Sequence, residues 1–308
     1  MQEQVSISKP ARFSGFIFFG NYFYGLCAVA LSIEAMLQQR VPLNGSVYFF
    51  LVFISTVLYY TYPYVRKCSF ISSNPRTNWY ARNYKLVRST QFVITLILLT
   101  SFAWFLNKYW NELFKLSVQE WIVVFLFPVV AGLYYGGSVL SGRLNLRKVG
   151  WLKPFVIGFI WAGMVTIYPV LFYCLTNRQA YNITVVGSLL FVKNLMFVAL
   201  LCIMFDIKDY ATDYIHRLKT FVVGVGLRNT IFSILFPLTT AGLFSFISYA
   251  WSHGFHFIKI LLNVLPFVLM IVVAWSLRKR RPIMYYLMVV DGLMLVKAVC
   301  GIIAMMFF

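Results

Sequence analysis

Three aspartates fall within eight consecutive positions of a chain that holds only eight acidic residues: Asp206, Asp209 and Asp213, in the run FDIKDYATD. At roughly 100° per helical residue, Asp209 and Asp213 stand at i,i+4 and Asp206 lies one turn before Asp209. The three then share one face within an arc of roughly 60°. Like charges so placed repel by roughly a few tenths of a kcal/mol per pair. A divalent cation reverses the sign of that interaction. Mg²⁺ takes one or two carboxylates and completes its octahedron with water and substrate phosphates. The same spacing also fits a solvated segment whose aspartates pair with Lys208, Arg217 and Lys219, contacts worth little at a surface. Spacing by itself leaves both readings open.

The elements that must position this cluster follow from composition. Of 308 residues, 61% are hydrophobic and 11% charged, and the mean hydropathy is +0.79. Soluble domains carry about a quarter charged residues. A hydrocarbon core about 30 Å thick asks for roughly 20 apolar residues per helix, and only helices or closed barrels satisfy their own backbone there. The apolar runs are continuous rather than alternating, which excludes barrel strands. The expected fold is an all-α polytopic membrane bundle, with residues 1–308 forming one integral membrane domain around a central cavity. About nine spans are predicted, over residues 13–36, 46–65, 90–107, 121–140, 154–176, 183–205, 230–251, 258–277 and 284–308. Pro128 makes the fourth a candidate for a kink. The polar start MQEQVSISKPAR and the length of the first apolar run do not fit a cleavable signal segment.

Twenty of the 27 Lys and Arg residues fall on one set of alternate loops and five on the other. Basic short loops stay cytoplasmic, so the N-terminus is expected inside and the C-terminus outside, in the cell (inner) membrane. The net charge of +19 fits anionic lipid headgroups or an anionic substrate; no nucleic-acid partner is expected. Four of the five cysteines (Cys27, Cys174, Cys202, Cys300) lie in apolar runs, with no CxxC pair or metal-ligand spacing, and read as small hydrophobes. Lys193 and Lys297 fall within spans, where a central charge costs about 2.5–3.5 kcal/mol and turns to the bundle interior. Asp291 in the last span is the expected partner of one of them.

The stretch LCIMFDIKDYATDYIHRLKTFVVGVGLRNT, from Leu201 to Thr230, resembles the second aspartate-rich motif of the UbiA superfamily of intramembrane prenyltransferases. An apolar helix runs into DIKD, Asp209 and Asp213 form a DxxxD, and Lys219–Thr220 precede an apolar segment. GLYYGGSVLSGRLNLRKVGWLKPFVIGFIWAG, from Gly132 to Gly163, resembles the family's fourth-to-fifth loop and the helix after it. The resemblance implies transfer of an isoprenoid chain from a prenyl diphosphate to a lipophilic, often aromatic or quinone-precursor, acceptor. It implies Mg²⁺ held by Asp209 and Asp213 with Asp206 flanking, and Arg76, Lys85, Lys153 and Lys208 on the diphosphate. Positive charge must meet the leaving diphosphate, and aromatic faces with water exclusion the allylic cation.

The chain departs from the family where a first aspartate motif belongs. Thr61, Tyr62 and Pro63 stand in its place, and no Asp or Glu occurs between Glu34 and Glu112. The basic residues of that loop either bind diphosphate directly or are ordinary cytoplasmic charge. The aromatic run YYTYPY is either an interfacial belt or a cation-stabilising wall. Two rival functions follow: a non-catalytic relative that binds an isoprenoid, a quinone-like lipid or a partner, and a transporter of an anionic solute. The lack of an internal repeat weighs against the transporter.

Overall fold

The computed structural model describes residues 15–66, 74–135, 150–210, 215, 220–252 and 254–308, and every regular element among them is helical. The main helices are α1 (Tyr22–Gln38), α2 (Ser46–Arg66), α3 (Pro75–Arg82), α4 (Tyr84–Lys108), α5 (Val118–Tyr135), α6 (Lys153–Thr176), α7 (Val185–Ile207), α8 (Phe236–Ser252), α9 (Phe257–Ser276) and α10 (Ile283–Phe307). Six of them, α2, α4, α6, α7, α9 and α10, are long and apolar enough to cross a membrane. By length and composition the chain is a multi-pass membrane protein. It divides into two compact units, Met1–Val29 with Gly45–Trp110, and Ala30–Asn44 with Asn111–Phe308.

In the first unit α2 packs against α4, and Ile54, Val57 and Ile94 form a small core. Two features depart from the expected spans. The first apolar run is not one helix: residues 15–19 are helical, the chain turns at Gly20 and Asn21, and α1 starts at Tyr22. Asn21 has φ +65°, a left-handed conformation that asparagine tolerates better than most residues. The third run begins earlier than its apolar stretch, at Tyr84, because Lys85 and Arg88 extend the helix as good helix formers. Before it, α3 is started by Asn74, whose side chain accepts the Arg76 N–H at 2.9 Å, with Pro75 in the first turn, where its missing N–H costs nothing.

In the second unit α6 and α7 make the closest seam. A Cβ added at Gly158 would lie 2.6 Å from the Leu195 carbonyl oxygen and 3.3 Å from the Ala199 Cβ. Small residues let helix backbones approach in this way. Lys153 with Asp206, Gly158 with Ala199, and Thr166 with Asn194 (2.8 Å) succeed one another along the seam, so the helices are antiparallel.

Backbone groups released inside these helices find partners across them. Pro128 lies within α5 and has no N–H for the Val124 carbonyl; the Tyr168 hydroxyl of α6 donates to it at 2.7 Å. A π-turn at Gly163–Ile167 loosens α6, and the Thr166 carbonyl there accepts from the Gln39 side chain at 3.0 Å. Gly163 also leaves room for the Phe127 ring, 2.2 Å from where a Cβ would stand. Further π-turns, Thr230–Leu235 and Tyr286–Val290, open the α8 and α10 runs.

Candidate functional site

The carboxyl end of α7 carries two of the three aspartates; Asp213 lies outside the described residues, as do Arg217 and Lys219. The helix tightens as it ends, with the Lys208 N–H on the Phe205 carbonyl (3.2 Å) and the Asp209 N–H on that of Asp206 (3.2 Å). Asp206 is buried, and its Oδ1 pairs with the Lys153 Nζ from the first turn of α6. Lys208 pairs with half-exposed Asp209 at 3.1 Å, and its ammonium sits 5.2 Å from the Phe205 ring centre. Phe205 meets buried Tyr286 edge to face at 5.7 Å. One end of the seam thus joins Asp206, Asp209, Lys153 and Lys208, which the sequence nominated from two distant segments.

These four charges cancel. A diphosphate brings several negative charges, so two lysines already facing two aspartates need additional positive charge to hold it. The donor set suits Mg²⁺ in number, since that ion takes one or two carboxylates and leaves the rest of its shell to water and phosphate. Asp209 is the accessible carboxylate, whereas Asp206 is committed to Lys153. Among the described residues no group of three or more His, Cys, Asp and Glu side chains is placed to hold a metal ion.

Arg76 and Lys85 belong to the first unit. Lys85 is exposed in the first turn of α4. Arg76 is buried instead: its guanidinium donates to the Asn21 side-chain oxygen and lies 4.5 Å from the Tyr64 ring centre. The Asn21 amide donates to Thr61 Oγ1 at 3.0 Å and to the Tyr80 hydroxyl at 2.9 Å. That hydroxyl in turn donates to the Phe19 carbonyl at 2.6 Å, and the Tyr80 ring stacks on Tyr64 at 4.5 Å. Burial pushes the Tyr80 phenol up to about 12, against the lowering pull of Arg76. Thr61 and Tyr64 come from the segment where the family resemblance expects acidic residues. Here a neutral amide, a hydroxyl and two rings receive a cation.

A second charged cluster joins α1, α7, α9 and α10 in the second unit. Glu34 Oε2 lies 2.6 Å from Lys297 Nζ and Glu34 Oε1 lies 3.7 Å from Lys193 Nζ. The Gln38 side chain donates to Glu34 at 3.0 Å and accepts from Lys193 at 3.1 Å; its amide also reaches Asn263 at 3.5 Å. Gly301, one turn beyond Lys297, leaves room for this carboxylate: a Cβ there would lie 2.5 Å from Glu34 Oε1. Both lysines therefore meet Glu34, where the sequence pointed to Asp291. The overlooked signal was Glu34 itself, an acid inside the first apolar run four residues before Gln38.

Comparison of the chain with family models, with curated proteins and with solved structures finds no match.

Proposed function

We propose that the chain is a UbiA-like intramembrane protein of nine spans, with α1, α5 and α8 crossing beside the six longer helices, the N-terminus cytoplasmic and the C-terminus outside. Each of the nine apolar runs overlaps one of these helices, and the basic loops alternate between them. The site at the Lys153–Asp206 end binds the diphosphate of a prenyl diphosphate. Lys153 and Lys208 contact phosphate oxygens, and Asp209 and Asp213, with Asp206 flanking, would hold Mg²⁺. When bound, that ion supplies positive charge against the leaving group. The carbon–oxygen bond of the allylic diphosphate breaks and the diphosphate leaves with the electron pair. A nucleophilic atom of a lipophilic acceptor bonds to the carbon and loses its proton.

The observation that carries this reading is the pairing of Lys153 with Asp206 across 53 residues of sequence. It brings a cation of the fourth-to-fifth segment beside the aspartate cluster, which supports the reading. The test is incubation of purified protein with radiolabelled prenyl diphosphates, Mg²⁺ and a panel of lipophilic acceptors. Lys153→Met is expected to lower turnover by about 10²–10³-fold, the effect of removing one well-placed donor to developing charge. Arg280→Gln with Arg281→Gln is expected to leave turnover near wild type. Equal loss in both variants would contradict the reading.

A second reading is a non-catalytic relative that binds a prenyl diphosphate or quinone-like lipid. It is favoured by the absence of acids between Glu34 and Glu112, where a first aspartate motif belongs. Binding without transfer to any acceptor would select it.

A further inference from the structure

We propose that the Glu34–Lys193–Lys297 cluster is a binding site, separate from the aspartate end, for a monoanionic group carried on an apolar tail. The inference does not depend on the prenyl-transfer reading. Lys193 lies thirteen residues before Asp206 on α7, roughly 20 Å along the helix, so the two groups of charges do not share a ligand.

Charge balance is the first argument. Among the described residues, the charged side chains that meet here are Glu34 from α1, Lys193 from α7 and Lys297 from α10; α9 contributes the neutral Asn263, and the Cys300 thiol of α10 lies near Glu34. Two ammoniums face one carboxylate, an excess of one positive charge inside an apolar bundle. Glu34 sits closer to Lys297, which is buried, and Lys193 holds the longer contact. Lys193 has three donors, and Gln38 takes one of them at 3.1 Å. A buried excess charge is costly unless it meets a counter-charge, and one further anion restores neutrality.

Access and chemistry are the second argument. Lys193 keeps 19% of its side-chain surface exposed, and Leu189, one turn before it on α7, is 49% exposed. Val186, two turns before Lys193 on the same face of α7, is also exposed. A ligand reaching Lys193 therefore has apolar side chains beside its body. Lys259 stands one turn from Asn263 toward the start of α9, with its ammonium 5.4 Å from the Phe255 ring centre. Lys193 is eight residues into α7, about 12 Å from its start, a depth that suits an anion carried by a tail.

The test uses full-length protein in nanodiscs of neutral phosphatidylcholine, probed with radiolabelled oleate. Wild-type protein should bind oleate saturably and should not bind neutral methyl oleate. Displacement of oleate by phosphatidylglycerol would identify a lipid headgroup as the source of the anion; its failure to compete would identify a free carboxylate. Both outcomes support the site. Lys193→Met leaves the Glu34–Lys297 pair in place and should weaken oleate binding about 10-fold or more, while melting at or above the wild-type temperature. Lys193→Arg should retain binding, and Glu34→Gln, which removes the competing carboxylate, should tighten it. If Glu34→Gln does not fold, Lys193→Met decides the question. Oleate affinity unchanged in Lys193→Met, equal binding of methyl oleate, or full displacement by chloride would each overturn the proposal.

Discussion

Helix α7 carries both of the charged clusters described above, and they are built on different rules. At its carboxyl end each described lysine has an aspartate, Lys153 with Asp206 and Lys208 with Asp209, near loops and partly open to solvent. Nearer its start, two lysines share Glu34 between helices. Balanced pairs at a helix end tolerate the loss of one member because water reaches what remains. An unbalanced cluster among packed helices does not, since each charge relies on the same carboxylate. The difference ranks the effects of substitution.

The largest effect is expected at Glu34. Glu34→Leu leaves Lys193 and Lys297 facing each other without a counter-charge, and removal of one partner from a buried pair costs about 3–5 kcal/mol. Unfolding of the variant in mixed micelles measures it, and adding Lys297→Met should recover part of the loss. Asp206→Asn should cost less, about 1.5–3 kcal/mol, because Lys153 keeps 29% of its side-chain surface exposed and can turn to water. If Asp206→Asn proves as damaging as Glu34→Leu, the contrast between the two ends fails.

The seam offers a further way to sharpen the comparison. Gly158→Ala places a methyl group against the Leu195 carbonyl and should cost about 1–3 kcal/mol by overpacking. Because Leu195 lies two residues from Lys193 on α7 and Gly158 five residues from Lys153 on α6, the shift should reach both sites, and weaker binding of both oleate and prenyl diphosphate is the expected pattern. A smaller effect belongs to Tyr80 in the other unit. Its phenol is raised from 10 to about 12 in the folded chain, so its contribution is intact below pH 10 and is lost as pH rises from 10 through 12. Tyr80→Phe should flatten that part of the stability profile in alkaline melting curves.

Much of the helical layout is legible in the sequence, because apolar runs of bilayer length have few alternatives to helix. Residues 154–176, 183–205, 258–277 and 284–308 were expected as spans, and α6, α7, α9 and α10 begin and end within two residues of them. Lys208 with Asp209 was legible through local spacing, whereas the pairing of Lys153 with Asp206, 53 positions apart, was not. The break at Gly20–Asn21 was not, because nothing in an apolar run announces that one asparagine will turn left-handed to meet Thr61, Arg76 and Tyr80. Helix α3 was hidden in a basic segment whose charge suggested a loop, although Asn74–Pro75 is a recognisable helix start. The pairing of Glu34 with Lys297 joins residues 263 positions apart, and periodicity carries no information on which spans are neighbours. Asp291, expected across helices as the partner of one of the two lysines, is not the carboxylate that either of them meets in these ion pairs; Glu34 is.

The most direct test of the proposed diphosphate site is thermal melting of the purified protein with a prenyl diphosphate, in the presence and absence of Mg²⁺. The account predicts a rise in melting temperature that requires the divalent cation and disappears in Asp209→Asn, a half-exposed residue whose replacement should leave the unliganded protein stable. Protection of equal size without the cation, or retained in Asp209→Asn, would contradict it and assign Asp209 to an ordinary pair with Lys208.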